Sequence, residues 1–336
     1  MSINWNEFKS VIEPARRINL TSHIRPDCDA LGSELGMAAL LRHLGKQVRI
    51  VNGQATPPNL AFIDPAAEIQ AVGTDVEPGE LMDADLWIIL DTSAWAQLGP
   101  LAEVIREFPG QRVVVDHHVG EDDLNARLFK DTTAEATGRL IVEAAEALGV
   151  PLTPAMAGPL FAAIATDTGW FRFPSSNALT YEVAARLINA GASPAGIYGE
   201  LYEQESVGRL RLRGVVLERI RTELDGRLAH TFIRKEDYAA TGALPSDTED
   251  LVNHCLEIRG TEFAVILIEQ PDGGFKISFR SRCAVECNQV ASEFNGGGHK
   301  AAAGAFVRGP FAQVQPRVLD HVRKSLATPA GMSPAS

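Results

Sequence analysis

Residues 112–118 read Arg-Val-Val-Val-Asp-His-His, an apolar run that ends in one carboxylate and two imidazoles. A short, uninterrupted apolar run is typical of a strand buried on both faces, as in a parallel sheet covered by helices. In sheets of this kind, functional groups lie just beyond the carboxyl ends of the strands. The stretch therefore predicts an α/β fold with a polar site directly after Val115.

The same pattern recurs on both sides of this stretch. Apolar segments predict strands at residues 18–21, 48–51, 85–90 and 112–115, and helical spacing predicts helices at residues 30–44, 135–148, 154–165 and 178–190. These elements favour a mostly parallel sheet flanked by helices. We expect Gly32 and Gly36 to let the first of these helices pack closely against the sheet.

Aspartate and histidine side chains follow several of these apolar segments. They are His23, Asp27, Asp29, Asp91, Asp116, His117, His118 and Asp167, of which the last follows a helix. Taken singly, Asp91 would more often be a turn or cap residue and His23 a core histidine. Their joint presence, in order along the chain, favours a site for two divalent metals. Manganese suits a mixed set of carboxylate and imidazole ligands.

Length, composition and charge limit the class of protein. The chain has 336 residues, which suggests two domains, and 45% of them are hydrophobic, enough for a packed core. Its net charge of −12 falls mostly within residues 1–190 and argues against a general duplex-DNA binder. No apolar stretch is long enough to cross a bilayer, and the first residues do not resemble a secretory signal. We therefore expect a cytoplasmic protein without membrane contact, whose four scattered cysteines stay reduced.

A break at residues 191–194 divides the chain. We expect a first domain at 1–193, a helical connector at 194–224, a smaller α/β domain at 225–327 and a disordered tail at 328–336. The smaller domain is predicted to contain strands at 228–233, 262–268, 275–280 and 305–307, helices at 247–255, 286–294 and 311–325, and a tight turn at Asp272-Gly273-Gly274.

The second domain carries a pattern suited to phosphate binding. Backbone N–H groups of the glycine-rich stretch at residues 296–299 can approach a phosphate closely. Arg280 and Arg282 are expected to alternate along a strand and to point to one face, where a guanidinium can bind a phosphate in bidentate fashion. A tight turn and a solvated strand face are the alternatives. In the first domain, the Phe171-Arg172-Phe173 stretch is compatible with base stacking or with core packing.

Four segments together resemble the DHH phosphoesterase superfamily. They are His23-x-Arg25-Pro26-Asp27-x-Asp29, Asp91-Thr92-Ser93, Asp116-His117-His118 and Asp167-Thr168-Gly169. Residues 278–282 and 296–304 resemble its associated DHHA1 domain. The resemblance implies an active site in the cleft between a DHH domain and a DHHA1 domain.

The resemblance also implies a role for each candidate residue. Two manganese ions are expected, with magnesium or cobalt as possible substitutes. His23, Asp27 and Asp91 would hold the first ion; Asp29, Asp91, His117 and Asp167 would hold the second, with Asp91 as the bridge. His118 would contact the scissile phosphate or assist the leaving group, and Asp116 would orient His117. The substrate would be bound by Ser278, Arg280, Arg282, Gly297, Gly298 and His299.

Two domains without further binding modules are similar to the nano-RNase branch of the superfamily. The implied activity is a two-metal hydrolase that degrades very short oligoribonucleotides to mononucleotides and converts 3′-phosphoadenosine 5′-phosphate (pAp) to AMP. A cyclic di-AMP or linear dinucleotide phosphodiesterase is the alternative enzyme, and a nucleotide-binding sensor is the alternative outside enzymes. The loop at 296–299 argues against an inorganic pyrophosphatase, and the absence of further domains argues against a processive single-strand exonuclease. The protein is expected to be a monomer or a homodimer.

Overall fold

The computed structural model describes residues 3–271 and 273–327, which form two compact units divided between Gln204 and Glu205. The first unit contains α1 (Trp5–Ile12), β1 (Arg17–Thr21), α2 (Cys28–His43), β2 (Gln47–Asn52), β3 (Ile69–Ala71), β4 (Leu86–Leu90), α3 (Leu101–Glu107), β5 (Gln111–Asp116), β6 (Arg127–Lys130), α4 (Thr137–Ala147), α5 (Pro154–Asp167), α6 (Ala178–Asn189) and α7 (Pro194–Tyr202). The second contains α8 (Val207–Glu218), β7 (Arg221–Glu223), β8 (Leu228–Ile233), α9 (Lys235–Thr241), α10 (Asn253–Leu256), β9 (Phe263–Glu269), β10 (Phe275–Ser281), α11 (Cys287–Ser292), β11 (Gly297–Gly298), β12 (Ala302–Val307) and α12 (Phe311–Ala327).

The sheet of the first unit has six strands in the order β3-β2-β1-β4-β5-β6, and all neighbours are parallel. The prediction of a mostly parallel sheet is therefore confirmed. The central strands are buried on both faces, because Ile88 packs into one apolar cluster and Trp87 and Ile89 into another. The order of the strands reverses between β1 and β4, which creates a crevice at their carboxyl ends.

Close packing of two helices fixes the position of α2. A β-carbon on Gly32 would lie 2.3 Å from the carbonyl oxygen of Pro159, and one on Gly36 would lie 2.5 Å from Leu160. The expectation that these glycines approach the sheet is wrong, because they face α5 instead. Their small size lets the α2 backbone approach the Pro159 backbone and the Leu160 side chain of α5 closely. Predicted metal ligands lie at one end of each of these helices, Asp27 and Asp29 at α2 and Asp167 at α5.

The sheet of the second unit has the order β11-β12-β10-β9-β8-β7, with β8 and β9 parallel and the other pairs antiparallel. Phe263, Val265 and Leu267 of β9 face one apolar cluster, and Ile266 and Ile268 face another. The second unit is therefore a mixed α/β layer structure, as the sequence predicts.

Two expectations for residues 194–336 differ from the structure, and a third concerns residues that the structure does not describe. The helix predicted at 247–255 is a 3₁₀ turn (Pro245–Thr248) and the short α10, because Asp250 has a left-handed backbone (φ 60°) that interrupts a helix. The segment predicted as a helical connector holds α7, α8 and the strand β7, and it is divided between the two units. Asp272 and the tail 328–336, predicted as part of a turn and as disordered, lie outside the described residues. No helix within the described ranges has both the length and the apolar character needed to cross a membrane.

Candidate active site

The predicted metal ligands of the first unit converge at one edge of its sheet. The strands β1, β4 and β5 are neighbours and run parallel, so their carboxyl ends point the same way. The loop from β1 to α2 carries His23 and Asp27, the residue after β4 is Asp91, and His117 follows β5 directly. The site thus forms where the strand order reverses, as expected for an open parallel sheet.

Asp27 and Asp29 take different structural positions although they are two residues apart. Asp27 is the N-cap of α2, and its Oδ1 accepts from the backbone N–H groups of Asp29 (3.0 Å) and Ala30 (3.1 Å). Asp29 is buried, and its carboxylate accepts from Thr137 N (2.7 Å) and Gly138 N (2.8 Å) in the first turn of α4. The free N–H groups at that helix start hold Asp29 in place and favour its negative charge.

Asp91 lies at the centre of the site in a strained backbone conformation. Its φ of 61° is unusual for a residue with a side chain, and its side chain is 2% exposed. The Thr137 hydroxyl donates to Asp91 Oδ1 at 2.8 Å. The left-handed turn directs the carboxylate between the loops that follow β1 and β5, because Oδ2 lies 3.3 Å from His23 Nε2 and Oδ1 lies 3.5 Å from His117 Nε2.

Both of these histidines direct an unprotonated nitrogen into the site when they are neutral. His23 Nδ1 donates to the Ile24 carbonyl at 3.0 Å, and His117 Nδ1 donates to the Ala134 carbonyl at 3.1 Å. A carbonyl can only accept, so the ring proton resides on Nδ1 and the lone pair resides on Nε2. Each Nε2 then faces carboxylate oxygens, an arrangement that requires a cation or an added proton between them.

Several carboxylates lie close together in the site, and this shifts the pKa values of its side chains. Burial and the charges of Asp91 and Asp167 raise the pKa of Asp29 well above its usual value. Burial likewise raises the pKa of Asp167 to about 6, although His117 opposes the shift. For His23, burial alone would lower the pKa, but the hydrogen bond to Asp91 and the nearby charges outweigh it and raise the pKa to about 9. All three pKa shifts favour bound protons, so they indicate a site that attracts positive charge.

The donor atoms fit divalent metal ions. Among the described residues, three groups place their donor atoms within 4.8 Å of one another: His23, Asp27 and Asp91; Asp29, His117 and Asp167; and Asp91, His117 and His118. All six predicted ligands are brought together, and Asp91 belongs to two of the groups. Mixed carboxylate and imidazole oxygen and nitrogen donors suit manganese and related ions. The assignment of each residue as a ligand stays a prediction.

The Asp116 carboxylate binds His118, not His117. Its Oδ1 accepts from His118 N at 3.0 Å and Nδ1 at 2.8 Å, while Oδ2 accepts from Ser93 Oγ at 2.7 Å and lies 3.3 Å from Lys130 Nζ. The expectation that Asp116 orients His117 is therefore wrong, because the backbone carbonyl of Ala134 fills that position. Burial would raise the pKa of Asp116, but the bonds from His118 and Ser93 outweigh it and bring the pKa to about 2. The same bond raises the pKa of His118, against the effect of its burial.

Sequence reasoning missed several residues that support the site. The backbone N–H groups of Thr137 and Gly138 hold Asp29, and the Thr137 hydroxyl holds Asp91. Lys130 lies beside Asp116, and Asn52 donates to the buried Glu34 of α2 at 3.0 Å. Lys130 is the last residue of β6, so the rule that located Asp116 would have located Lys130 had that strand been recognised. Burial raises the pKa of Glu34 to about 8, which favours a neutral carboxyl group behind the site.

The Phe171-Arg172-Phe173 stretch follows Asp167 in a tightly turned segment. Phe171 packs against Phe161 and Tyr181, with ring centroids 5.8 and 5.5 Å apart, so it belongs to the core of the first unit. Phe173 is half exposed. Core packing is therefore the better description of Phe171, and the segment offers Phe173 alone as an exposed ring.

In the second unit, the predicted phosphate-binding residues take two kinds of position. Ser278 and Arg280 lie on the polar side of β10, opposite the buried Phe279, and Arg280 Nη2 lies 3.7 Å from Asp250 Oδ1. Arg282 follows the end of β10, and its guanidinium donates to the Leu256 carbonyl at 2.9 Å. The expectation that both arginines alternate along one strand is therefore wrong, and Arg282 is engaged within the unit.

The glycines of the 296–299 loop are not equivalent. A β-carbon on Gly296 would lie 2.2 Å from the Gly304 carbonyl oxygen, and one on Gly298 would lie 2.6 Å from Ala303. Both glycines are thus required for the close approach of β11 to β12. Gly297 is exposed, and a β-carbon there would meet no atom within 4 Å. Packing therefore gives no reason for a glycine at position 297. His299, two residues further along the loop, is also exposed.

Comparison with known proteins agrees with this geometry. Residues 17–164 match the DHH family N-terminal domain, and residues 227–328 match the DHHA1 domain. The chain is 30% identical over 328 residues to the bifunctional oligoribonuclease and PAP phosphatase NrnA of Thermus thermophilus, covering 96% of this chain and 95% of that protein. It is 29% identical over 295 residues to the protein of the same name from Bacillus subtilis, covering 86% and 89%.

The fold has a similar relative of known structure. The crystal structure of an exopolyphosphatase-related protein from Bacteroides fragilis matches with a TM-score of 0.79 and 28% identity, covering 96% of this chain and 95% of that one. Sequence, fold and the cluster of Asp and His side chains lead to the same assignment. The chain belongs to the DHH/DHHA1 phosphoesterase family.

Proposed function

We propose that this protein hydrolyses very short oligoribonucleotides to mononucleotides and removes the 3′-phosphate of pAp to give AMP. The observation that carries the proposal is a pair of neighbouring Asp/His groups at the reversal point of the parallel sheet. One group is His23, Asp27 and Asp91, the other is Asp29, His117 and Asp167, and Asp91 Oδ1 lies 3.5 Å from His117 Nε2 of the second group. Relatives whose names include both activities are similar to the chain over nearly its whole length, which supports the choice of substrates.

The residues of the first unit would hold two divalent ions. His23, Asp27 and Asp91 would bind one, and Asp29, Asp91, His117 and Asp167 would bind the other. We propose manganese, with magnesium or cobalt as substitutes, on the basis of the mixed oxygen and nitrogen donors. Divalent ions held in this way lower the pKa of water and neutralise charge on a phosphoryl group.

His118 is proposed to act on the leaving group. Asp116 fixes its ring through Nδ1 and stabilises the protonated form, so Nε2 can carry a proton at neutral pH. Ser93 and Lys130 in turn hold Asp116. A protonated His118 would donate to the oxygen that departs from phosphorus, and its half-exposed position leaves it accessible to a substrate.

Arg280, Ser278, Gly297, Gly298 and His299 are proposed to bind substrate phosphate in the second unit. The guanidinium offers paired donors for a phosphate, and the exposed backbone at Gly297 permits close approach. Arg282 is left out of this set because its guanidinium already bonds to Leu256. Such contacts fix the substrate before reaction and contribute chiefly to binding.

Product analysis by chromatography tests the proposal. Purified protein with Mn²⁺ would be given a 5′-phosphorylated RNA dinucleotide, pAp and cyclic di-AMP in parallel. Mononucleotide from the first and AMP from the second are expected. Turnover of cyclic di-AMP alone would reject the proposed substrates and leave a cyclic-dinucleotide phosphodiesterase, and binding without any turnover would leave a sensor.

A further inference from the structure

The polar side of β10 continues beyond the residues assigned to phosphate binding. Lys276, Ser278 and Arg280 alternate with the buried Ile277 and Phe279, so the three polar side chains project from one side of the sheet. Residues two apart in a strand are separated by about 7 Å. This repeat is comparable to the distance between successive phosphates of an extended single strand, which gives the row a spacing suited to a nucleic-acid backbone.

Lys276 lies at the end of this row away from Arg280. It is exposed and has no hydrogen-bond or ion-pair partner among residues 3–271 and 273–327. Arg280, by contrast, lies near Asp250. Lys276 therefore presents an uncompensated charge within the described part of the chain, on the same side of the sheet as Arg280.

An exposed aromatic ring stands next to Lys276. Phe306 of β12 is the direct cross-strand partner of Lys276, so both side chains lie on the same side of the sheet. The Phe306 side chain is 44% exposed, whereas its neighbours Ala305 and Val307 are buried on the opposite side. A large exposed ring on an open sheet face is a common platform for a nucleobase, since every base has a flat face that can stack.

A cavity of about 630 Å³ adjoins Lys276 within the second unit. Tyr238, Ser246 and Thr248 contribute a ring and two hydroxyl groups to its wall. Of its two carboxylates, Glu269 is neutralised by Arg234 at 2.6 Å, and Glu249 is exposed to solvent. The cavity thus adds space and polar groups beside Lys276 with limited negative charge.

We propose that Lys276 and Phe306 form an outer subsite, which accepts a nucleotide of an oligoribonucleotide beyond those held by Arg280 and the 296–299 loop. Lys276 binds the phosphate of that nucleotide, Phe306 stacks on its base, and the strand runs along the polar side of β10. The subsite deepens the proposed function and rests on it, because it concerns the length of the same single-stranded substrate. It gives longer fragments additional binding that pAp and dinucleotides cannot use.

The test compares KM for a 5′-phosphorylated RNA pentanucleotide with KM for the dinucleotide in each variant. Lys276→Ala and Phe306→Ala should each raise the ratio of the two KM values about fivefold or more, as expected when one phosphate contact or one stacked base is lost. Lys276→Arg should keep the wild-type ratio. Arg317→Ala is the matched control, because it removes one positive charge from α12, which packs on the opposite side of the same sheet.

Binding of a fluorescein-labelled RNA pentanucleotide in EDTA, followed by anisotropy, separates this inference from the proposed function. If wild-type protein turns over no oligonucleotide but Lys276→Ala weakens pentanucleotide binding, the proposed function fails and the subsite stands. If wild-type protein is active and the KM ratio in Lys276→Ala and Phe306→Ala equals that of Arg317→Ala, the subsite is rejected. An equal increase of both KM values would also reject it, since Lys276 would then serve the inner phosphate.

Discussion

The two units carry opposite chemistry on differently built sheets. In the first unit, Asp91 is buried directly after the parallel strand β4 and Asp29 is buried in the first turn of α2, where negative charge accumulates and cations are attracted. In the second unit, Arg280 and Gly297 lie on antiparallel strands with access to solvent, where an anion can be bound. Under the proposed function, burial fixes the candidate metal ligands of the first unit, whereas solvent exposure keeps the candidate phosphate-binding groups of the second unit available. Substitutions in the first should therefore affect kcat or metal binding, and those in the second should affect KM.

Loss of the shared carboxylate should have the largest effect. Asp91→Ala removes an oxygen donor from two of the ligand groups, and we expect turnover of the dinucleotide to fall by on the order of 10³-fold or more, since several kcal/mol of charge stabilisation is lost. Steady-state kinetics with Mn²⁺ measures the change. Asp83→Asn, an exposed carboxylate before the start of β4, is the control and should retain activity. Near-normal activity of Asp91→Ala would contradict the role given to the first unit.

Asp116→Asn distinguishes the observed partner of Asp116 from the predicted one. Because Asp116 binds His118, the substitution should lower kcat by about 10²-fold and leave Mn²⁺ affinity unchanged. Had Asp116 oriented the ligand His117, Mn²⁺ affinity would instead fall by about 10- to 100-fold. Kinetics and metal titration on the same protein decide between these outcomes. His118→Ala should reproduce the loss of kcat, and the double variant should lose little more, since the two residues act together.

Arg280→Ala and Arg282→Ala form a matched pair within the second unit. Arg280→Ala should raise KM about tenfold or more with kcat near the wild-type value, because a charge-assisted phosphate contact is lost. Arg282→Ala should leave KM unchanged and lower the free energy of unfolding by about 1 kcal/mol, because its bond to Leu256 is lost. A fall in kcat alone for Arg280→Ala would reject its role in ground-state binding, and a large KM effect for Arg282→Ala would restore it to the substrate site.

The smallest effects come from adding one methyl group to each unit. Gly32→Ala forces α2 away from α5 and should lower the free energy of unfolding by about 1–3 kcal/mol, with weaker Mn²⁺ binding. Gly297→Ala meets open space, so the unfolding free energy should change by no more than about 0.5 kcal/mol while KM rises. Denaturant titration and kinetics measure both. If both variants lost the same free energy of unfolding, the contrast between tight packing at Gly32 and open space at Gly297 would be wrong.

The sequence was sufficient to predict the parts of the molecule with strong periodicity. Short apolar runs such as Val113–Val115 identify buried parallel strands, and the rule that functional groups follow such strands locates Asp91, His117 and their neighbours. Strand β6 was missed because Arg127–Lys130 has two exposed side chains and only one that is fully buried. Its last residue, Lys130, was missed with it.

Other errors concern contacts that local sequence does not specify. Asp116 bonds to His118 and not to His117 because of the turn after β5, and because the Ala134 carbonyl, which is distant in sequence, already accepts from His117. Gly32 faces α5 instead of the sheet because α2 packs on that helix, a tertiary contact that spacing within α2 does not reveal. The helix predicted at residues 247–255 is interrupted at Asp250, whose left-handed backbone conformation the apolar pattern does not reveal.

The Asp and His side chains of the first unit are proposed to hold two metal ions that share Asp91. Metal-free protein titrated with Mn²⁺, with bound ions counted after dialysis and examined by electron paramagnetic resonance, tests this most directly. We expect two ions per chain with a spin-coupled signal in the wild-type protein, and loss of that coupling in Asp91→Ala. One ion per chain, or two ions without coupling, would show that Asp91 is not shared between two metal ions.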